Sequence, residues 1–263
     1  MKNKKSLGQN WLKDRPTLET IADLATDLPE SSLDQDVKLC LEIGPGLGTL
    51  TSSLLRRFDR VLAVEFDAQL AKNLPKSFPG KNLEVVNADF LQFDLEQIPE
   101  PYVVAGNIPY YITTPIIEKL LTAKNKPEII VLLVQKEVAE KICPRESKLH
   151  HSSLSLFVEN FAEPKLGPVV TRDFFTPPPK VDSAILVLAP RKTPLVDNSV
   201  LEFIHKAFAN PRKKLSANLA AFTNLPKAEL EAILTKQHLN PSARPADLDL
   251  DDYAALAKTL KTR

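Results

Sequence analysis

Two rhythms of apolar residues alternate along this chain. Short, largely apolar runs at 37–43, 61–65, 83–87, 101–106 and 128–134 read as strands. Before, between and after them, residues 16–27, 49–57, 67–76, 114–123 and 135–142 space their apolar side chains three and four apart, the period of an amphipathic helix. Such alternation predicts an α/β fold, a parallel sheet with helices on both faces. A helical stretch at 152–161 follows. Residues 164–170 and 183–188 then read as two further strands that close one edge of the sheet. Between those strands, Phe174-Phe-Thr-Pro-Pro-Pro-Lys-Val-Asp182 reads as a stiff extended loop. The pattern breaks at Ala189-Pro-Arg-Lys-Thr-Pro194, beyond which only helical segments appear, at 197–209, 211–222, 226–236 and 250–261. Leu201, Ile204, His205 and Phe208 share one helical face. The expected organisation is an α/β domain over 1–189 and a small all-helical domain over 190–263.

Composition narrows the class. Hydrophobic residues make up 43% and charged residues 25%, ordinary for a globular protein. No segment approaches the ~20 apolar residues of a membrane span. The basic start, Met-Lys-Asn-Lys-Lys, leads into no apolar signal segment. A cytoplasmic protein is expected, with Cys40 and Cys143 as reduced thiols. Two cysteines and four histidines without ligand spacing predict no metal site. Charge is unevenly placed. Residues 1–15 carry five Lys and Arg against one acid, and residues 190–263 carry twelve against eight, while the middle of the chain is acidic. Basic ends of this kind suit nucleic-acid contact, with Lys4, Lys5, Arg212, Lys213 and Lys214 as the candidate phosphate partners.

The first chemical motif is Leu41-Glu-Ile-Gly-Pro-Gly-Leu-Gly48. Three of the chain's seven glycines, Gly44, Gly46 and Gly48, stand here at alternate positions. A strand before them and a helix after them make a nucleotide-type turn, where glycine lets a ligand approach the backbone. The spacing differs from the dinucleotide fingerprint and lacks the Gly-Lys-Ser/Thr ending of a triphosphate loop. Glu42 beside the loop would repel a pyrophosphate, so the pattern favours S-adenosylmethionine. Glu65 ends the strand Val61-Leu-Ala-Val-Glu65, close to the offset at which an acid meets ribose hydroxyls. Asp89 ends Leu83-Glu-Val-Val-Asn-Ala-Asp89 and is placed to accept from an adenine amine. Both acids and the glycine loop lie at carboxyl ends of successive strands, where open α/β sheets bind ligands.

The second motif is Asn107-Ile-Pro-Tyr110, directly after a strand. Read alone, it could be a plain Asx-Pro turn. Beside an S-adenosylmethionine loop it becomes a seat for an exocyclic amine. The Asn107 oxygen and a nearby carbonyl can accept from the amine and pull it out of planarity, making its lone pair nucleophilic. Tyr110 offers a face on which an extruded base can stack.

The ordered set of motifs resembles the bacterial ribosomal RNA adenine N6,N6-dimethyltransferases over nearly the whole chain. The resemblance rests on Lys5-Ser-Leu-Gly-Gln-Asn-Trp-Leu12, Leu41–Thr51, Ala63-Val-Glu-Phe-Asp67, Asn87-Ala-Asp-Phe-Leu91, Asn107–Tyr110, Phe175–Ser183 and Arg244-Pro-Ala-Asp-Leu248. It implies a Rossmann-like methyltransferase domain with a small C-terminal helical domain that binds rRNA. It implies dimethylation of two adjacent adenosines near the 3′ end of 16S rRNA, in a small-subunit assembly intermediate, by a protein acting as a monomer. Cofactor contacts then fall on Asn10, Leu12, Gly44, Gly46, Glu65, Asp89 and Asn107, and base stacking on Tyr110 with Phe174 or Phe175. Trp11, Ile108 and Tyr111 depart from the residues common in the family, and Tyr111 is the bulkiest change near the base pocket. Three other readings stay open on sequence grounds. One is an erythromycin-resistance-type 23S rRNA adenine methyltransferase, which shares several of these phrases. The second is an assembly factor that keeps the fold without catalysis, and the third a small-molecule methyltransferase.

Overall fold

The computed structural model describes residues 9–32, 34, 36–143 and 151–261 of the 263-residue chain. Internal contacts divide the chain into two units. The first runs to Glu140 and takes in Glu163–Pro190; the second is Lys141–Ala162 with the chain from Arg191 onward.

In the first unit, the described strands are β1 (Trp11–Leu12), β2 (Leu39–Ile43), β3 (Arg60–Glu65), β4 (Leu83–Asn87), β5 (Tyr102–Asn107), β6 (Ile130–Gln135), β7 (Ala162–Val170), β8 (Phe175–Thr176) and β9 (Ser183–Pro190). Its helices are α1 (Arg15–Leu24), α2 (Thr49–Leu54), α3 (Ala68–Asn73), α4 (Thr113–Thr122) and α5 (Lys136–Ile142), the last running to the unit boundary. The main sheet has the order β4-β3-β2-β5-β6-β9-β7. Strands β2 to β6 pair in parallel, and β9 runs antiparallel to β6. β2, β5 and β6 are buried nearly throughout, as continuous apolar runs covered on both faces must be. β2 has β3 on one side and β5 on the other, so the strand order reverses there. A crevice opens at the carboxyl ends of strands at such a reversal.

Local chemistry sets the helix ends. Asp14 caps α1 through the Thr17 N–H, and Asp67 caps α3 through Gln69 and Leu70. Helix α3 is shorter than the 67–76 pattern, because Pro75 turns its continuation, Leu74–Ser77, into a 3-10 turn. Helix α2 starts at Gly48, held at φ +83°, where an added Cβ would stand 2.6 Å from Leu74 Cδ1 and 2.9 Å from Phe78 Cε2. Only glycine satisfies both the backbone angle and the close approach. The two-residue strands β1 and β8 form a small antiparallel pair, Leu12 opposite Phe175. Such short pieces carry no periodicity, and nothing in the apolar pattern foretells them.

The second unit holds α6 (Ser153–Phe161), α7 (Asn198–Ala207), α8 (Leu215–Thr223), α9 (Lys227–Lys236) and α10 (Leu250–Lys261). Leu156, Ile204, Leu215, Leu219, Leu234, Tyr253 and Leu256 share its core. The sequence places 152–161 in the α/β domain; the structure corrects this. Leu156 packs with α7 to α10, and the chain on either side of the sheet's last strands returns to one helical core. On α7 the buried positions are Val200, Ile204 and Ala207, while His205 is exposed rather than part of the apolar face. Helix α8 begins at Leu215, so Arg212 and Lys213 lie in the preceding turn and Lys214 is the capping position.

Candidate active site

A cavity of about 360 Å³ opens at the carboxyl ends of β2, β3, β4 and β5. Its wall includes every predicted cofactor position, Asn10, Leu12, Gly44, Gly46, Glu65, Asp89 and Asn107, together with Tyr110. The glycine loop leaves β2 with Gly44 at φ +65° and Gly46 at φ +58°, and the Gly44 N–H donates to the Val64 carbonyl at 3.0 Å. A Cβ built on Gly44 would meet no atom within 4 Å, so the bare backbone there faces open space.

Glu65 is the most constrained acid of the wall. It is buried, its Oε2 accepts from the Gly46 N–H at 3.0 Å, and its Oε1 accepts from the Asp67 N–H at 2.7 Å. Burial raises its pKa, against the pull of those backbone donors. The Asn87 side chain donates to the carbonyls of Glu65 and Phe66 at 2.8 and 3.1 Å, fixing the turn after β3. Glu42, just behind the loop, is almost wholly buried and accepts from Thr51 Oγ1 at 2.6 Å. Burial, with the neighbouring Glu65 charge, pushes its pKa up to about 8, so at neutral pH it is mostly protonated. The carboxylate that the sequence sets against a phosphate ligand is therefore held inside the fold. Asp89, by contrast, is exposed, and its Oδ1 accepts from the Leu91 N–H at 2.9 Å.

Asn107 ends β5, and its Nδ2 donates to the Asn10 carbonyl at 3.0 Å. That bond uses one of the two amide N–H donors, and Oδ1 is the side chain's acceptor. Tyr110 is half-buried, with its hydroxyl 2.7 Å from Ser183 Oγ. Tyr111 and Phe66 also line the cavity, with 66% and 61% of their surface exposed. Among the described residues no group of histidines, cysteines and acids is arranged to hold a metal ion, and no helix is long and apolar enough to cross a membrane.

A model of the family described as ribosomal RNA adenine dimethylase matches residues 1–262. The chain belongs to this family. Ribosomal RNA small subunit methyltransferase A of Lactococcus lactis is 37% identical over 270 residues, covering 98% of this chain and 90% of that protein. The protein of the same name from a Geobacillus species is 35% identical over 275 residues, covering 98% and 91%. Two solved structures share the fold. The 23S rRNA methyltransferase ErmE has a TM-score of 0.73 at 33% identity, covering 96% of this chain and 100% of that one. A dimethyladenosine transferase from Plasmodium falciparum has a TM-score of 0.73 at 26% identity, covering 95% and 97%.

In this ribosomal RNA adenine dimethylase the remaining predicted residues fall into different environments. Phe174 is 43% exposed and Phe175 only 3%. Phe175 packs in the sheet's core with Leu12, Val170 and Ile185, so it anchors β8 and offers no free face to a base. Arg212, Lys213 and Lys214 are exposed, and Lys214 Nζ lies 3.6 Å from Glu231. Lys4 and Lys5 lie outside the described residues. Three residues of the site carried no sequence signal for their roles. Ser183 holds the Tyr110 hydroxyl, Asn87 ties the ends of β3 and β4, and the Trp11 indole stands 3.5 Å from where a Gly46 Cβ would be. Each depends on a partner distant in the chain.

Proposed function

We propose that this rRNA adenine dimethyltransferase uses S-adenosylmethionine to dimethylate the N6 amines of two adjacent adenosines near the 3′ end of 16S rRNA, in a small-subunit assembly intermediate. The observation that carries the reading is the orientation of Asn107. Its nitrogen donates to the Asn10 carbonyl, and its Oδ1 remains in the cavity wall as an acceptor for an amine. The likeness to ErmE makes a 23S rRNA substrate the second reading. Relatives named small subunit methyltransferase A, matched over nearly their full length, favour the first, as do Val181-Asp-Ser-Ala184 and Asn210-Pro-Arg-Lys-Lys-Leu215.

The wall of the cavity fits that cofactor. Gly44 presents bare backbone to open space, which a side chain would fill. Glu65, held by backbone N–H groups of the loop and of the turn after β3, places a carboxylate acceptor in the cavity wall for a vicinal hydroxyl. The Glu65 carboxylate beside a glycine loop suits a nucleoside without phosphates. When bound, S-adenosylmethionine would supply a methyl group already activated on a sulfonium centre. What remains for the protein is positioning and the placement of acceptors. Asn107 Oδ1 accepts from the adenine amine, Tyr110 supports the base plane, and the amine's proton leaves to water. Glu65 and Asp89 orient the nucleoside, and Asn10 and Leu12 close the wall through β1.

The test is to incubate the protein and labelled S-adenosylmethionine with unmethylated small subunits and, separately, large subunits, and to map the modified nucleotides. Paired dimethyladenosines in the small subunit alone are expected; label only in the large subunit would establish the second reading. Asn107→Ala should lower methyl transfer by roughly 10²–10³, the usual loss for one preorganised polar contact. Near-native turnover in that variant would remove Asn107 from the chemistry.

A further inference from the structure

The Val181-Asp-Ser183 stretch has no part in the chemistry described so far, yet one of its side chains reaches the proposed base seat. Ser183 opens β9 and is fully buried. Its Oγ lies 2.7 Å from the Tyr110 hydroxyl. Tyr110 follows β5, and β6 stands between β5 and β9, so this contact crosses one whole strand at the rim of the sheet. Ser183 itself is fixed by its register opposite Gln135 at the end of β6. The residue before it is also pinned. The Asp182 carbonyl accepts from the Lys136 N–H at 3.0 Å, and its Oδ1 accepts from the Arg172 N–H at 3.1 Å. The serine hydroxyl therefore projects from a rigid strand end.

A tyrosine ring held only through its backbone can swing between χ1 rotamers. A hydroxyl tether at the far end, which lies on the Cβ–Cγ axis, fixes the direction of that axis. The tether is also obligatory, since a fully buried serine hydroxyl without a partner would be left unsatisfied. We infer that Ser183 is a positioning residue for methyl transfer, which fixes the direction of the Tyr110 ring and so the place where the target adenine stacks. The inference rests on the assignment of Tyr110 as the stacking face.

The role predicts a coupling that simple packing does not. Ser183→Ala should lower kcat about tenfold with little change in KM for the small subunit and unchanged affinity for S-adenosylmethionine. Tyr110→Phe, which keeps the ring and loses the hydroxyl, should lower kcat to the same degree. The double variant should be no worse than either single one, because both remove the same tether. Wild-type kcat in Ser183→Ala, or losses that multiply in the double variant, would overturn the inference. Tyr110→Ala gives the separate check: full turnover without the ring would overturn the stacking assignment and the inference with it. A tenfold loss in Ser183→Ala alongside a much larger loss in Tyr110→Ala would leave both standing.

Discussion

At the scale of single residues, burial and backbone geometry matter more than residue type. Glu42 and Glu65 are both acids beside the glycine loop, and both have raised pKa values from burial, but only Glu65 is braced by two backbone N–H groups. Glu42 has the clearer consequence for stability. Its pKa rises from an ordinary 4.5 to about 8 in the folded chain. Below the lower value both folded and unfolded chains hold the proton, and Glu42 exacts no penalty. As pH rises from there toward 8, the unfolded chain loses the proton while the folded chain keeps it, so stability falls. Glu42→Gln, which keeps an acceptor for Thr51, should therefore raise the melting temperature at about pH 9 and change it little at about pH 4.5. A gain of roughly 2–4 °C per kcal/mol is expected for a domain of this size. Calorimetry across that range checks it, and an equal shift at both ends would mean that charge burial is not the cause.

At the scale of elements, the small β1–β8 pair decides whether the site keeps its amino-terminal wall. β1 carries Trp11 and Leu12, and Asn10 just before it holds the Asn107 side chain. β8 is secured by Phe175, buried in the core, and the Phe174 carbonyl accepts from the Lys13 N–H at 2.9 Å. Phe175→Ala should cost about 3–5 kcal/mol, as large core truncations do. It should also loosen the pair, so the Lys13 amide, which donates to the Phe174 carbonyl, should exchange faster with solvent than in the unsubstituted chain. Hydrogen exchange resolved by residue separates the two effects; unchanged protection at Lys13 would show that β1 is held by something else. The stiff proline run after Phe175 is legible in the sequence, but which of the two phenylalanines faces inward is not. Alternation on a two-residue strand gives no register, and only pairing with Leu12 fixes it.

At the scale of the whole molecule, the basic ends around an acidic middle predict where RNA affinity resides. Arg212 and Lys213 lie exposed in the turn before α8, with Lys214 at its cap. If they contact phosphates, replacing all three by Ala should weaken binding to the small subunit and flatten the dependence of log K on log salt by about 0.7–0.9 per lost contact. Affinity for S-adenosylmethionine should not change. Filter binding over a salt series checks this, and an unaltered slope would make the cluster an ordinary solvated face.

The sequence by itself determined the α/β alternation, the glycine loop, the acids at the ends of β3 and β4, and the Asn107–Tyr110 turn after β5. These are local: each is written in contiguous residues whose period or turn chemistry needs no distant partner. The tertiary structure alone decided what spans the chain. It gave 153–161 to the helical core, because the apolar face of α6 meets its neighbours only after the sheet's last strands have intervened. It buried Glu42, turned Phe175 inward, and joined Ser183 to Tyr110 across 73 positions of sequence. No local pattern records such contacts, because they exist only once the strand order has brought distant segments to the same rim of the sheet.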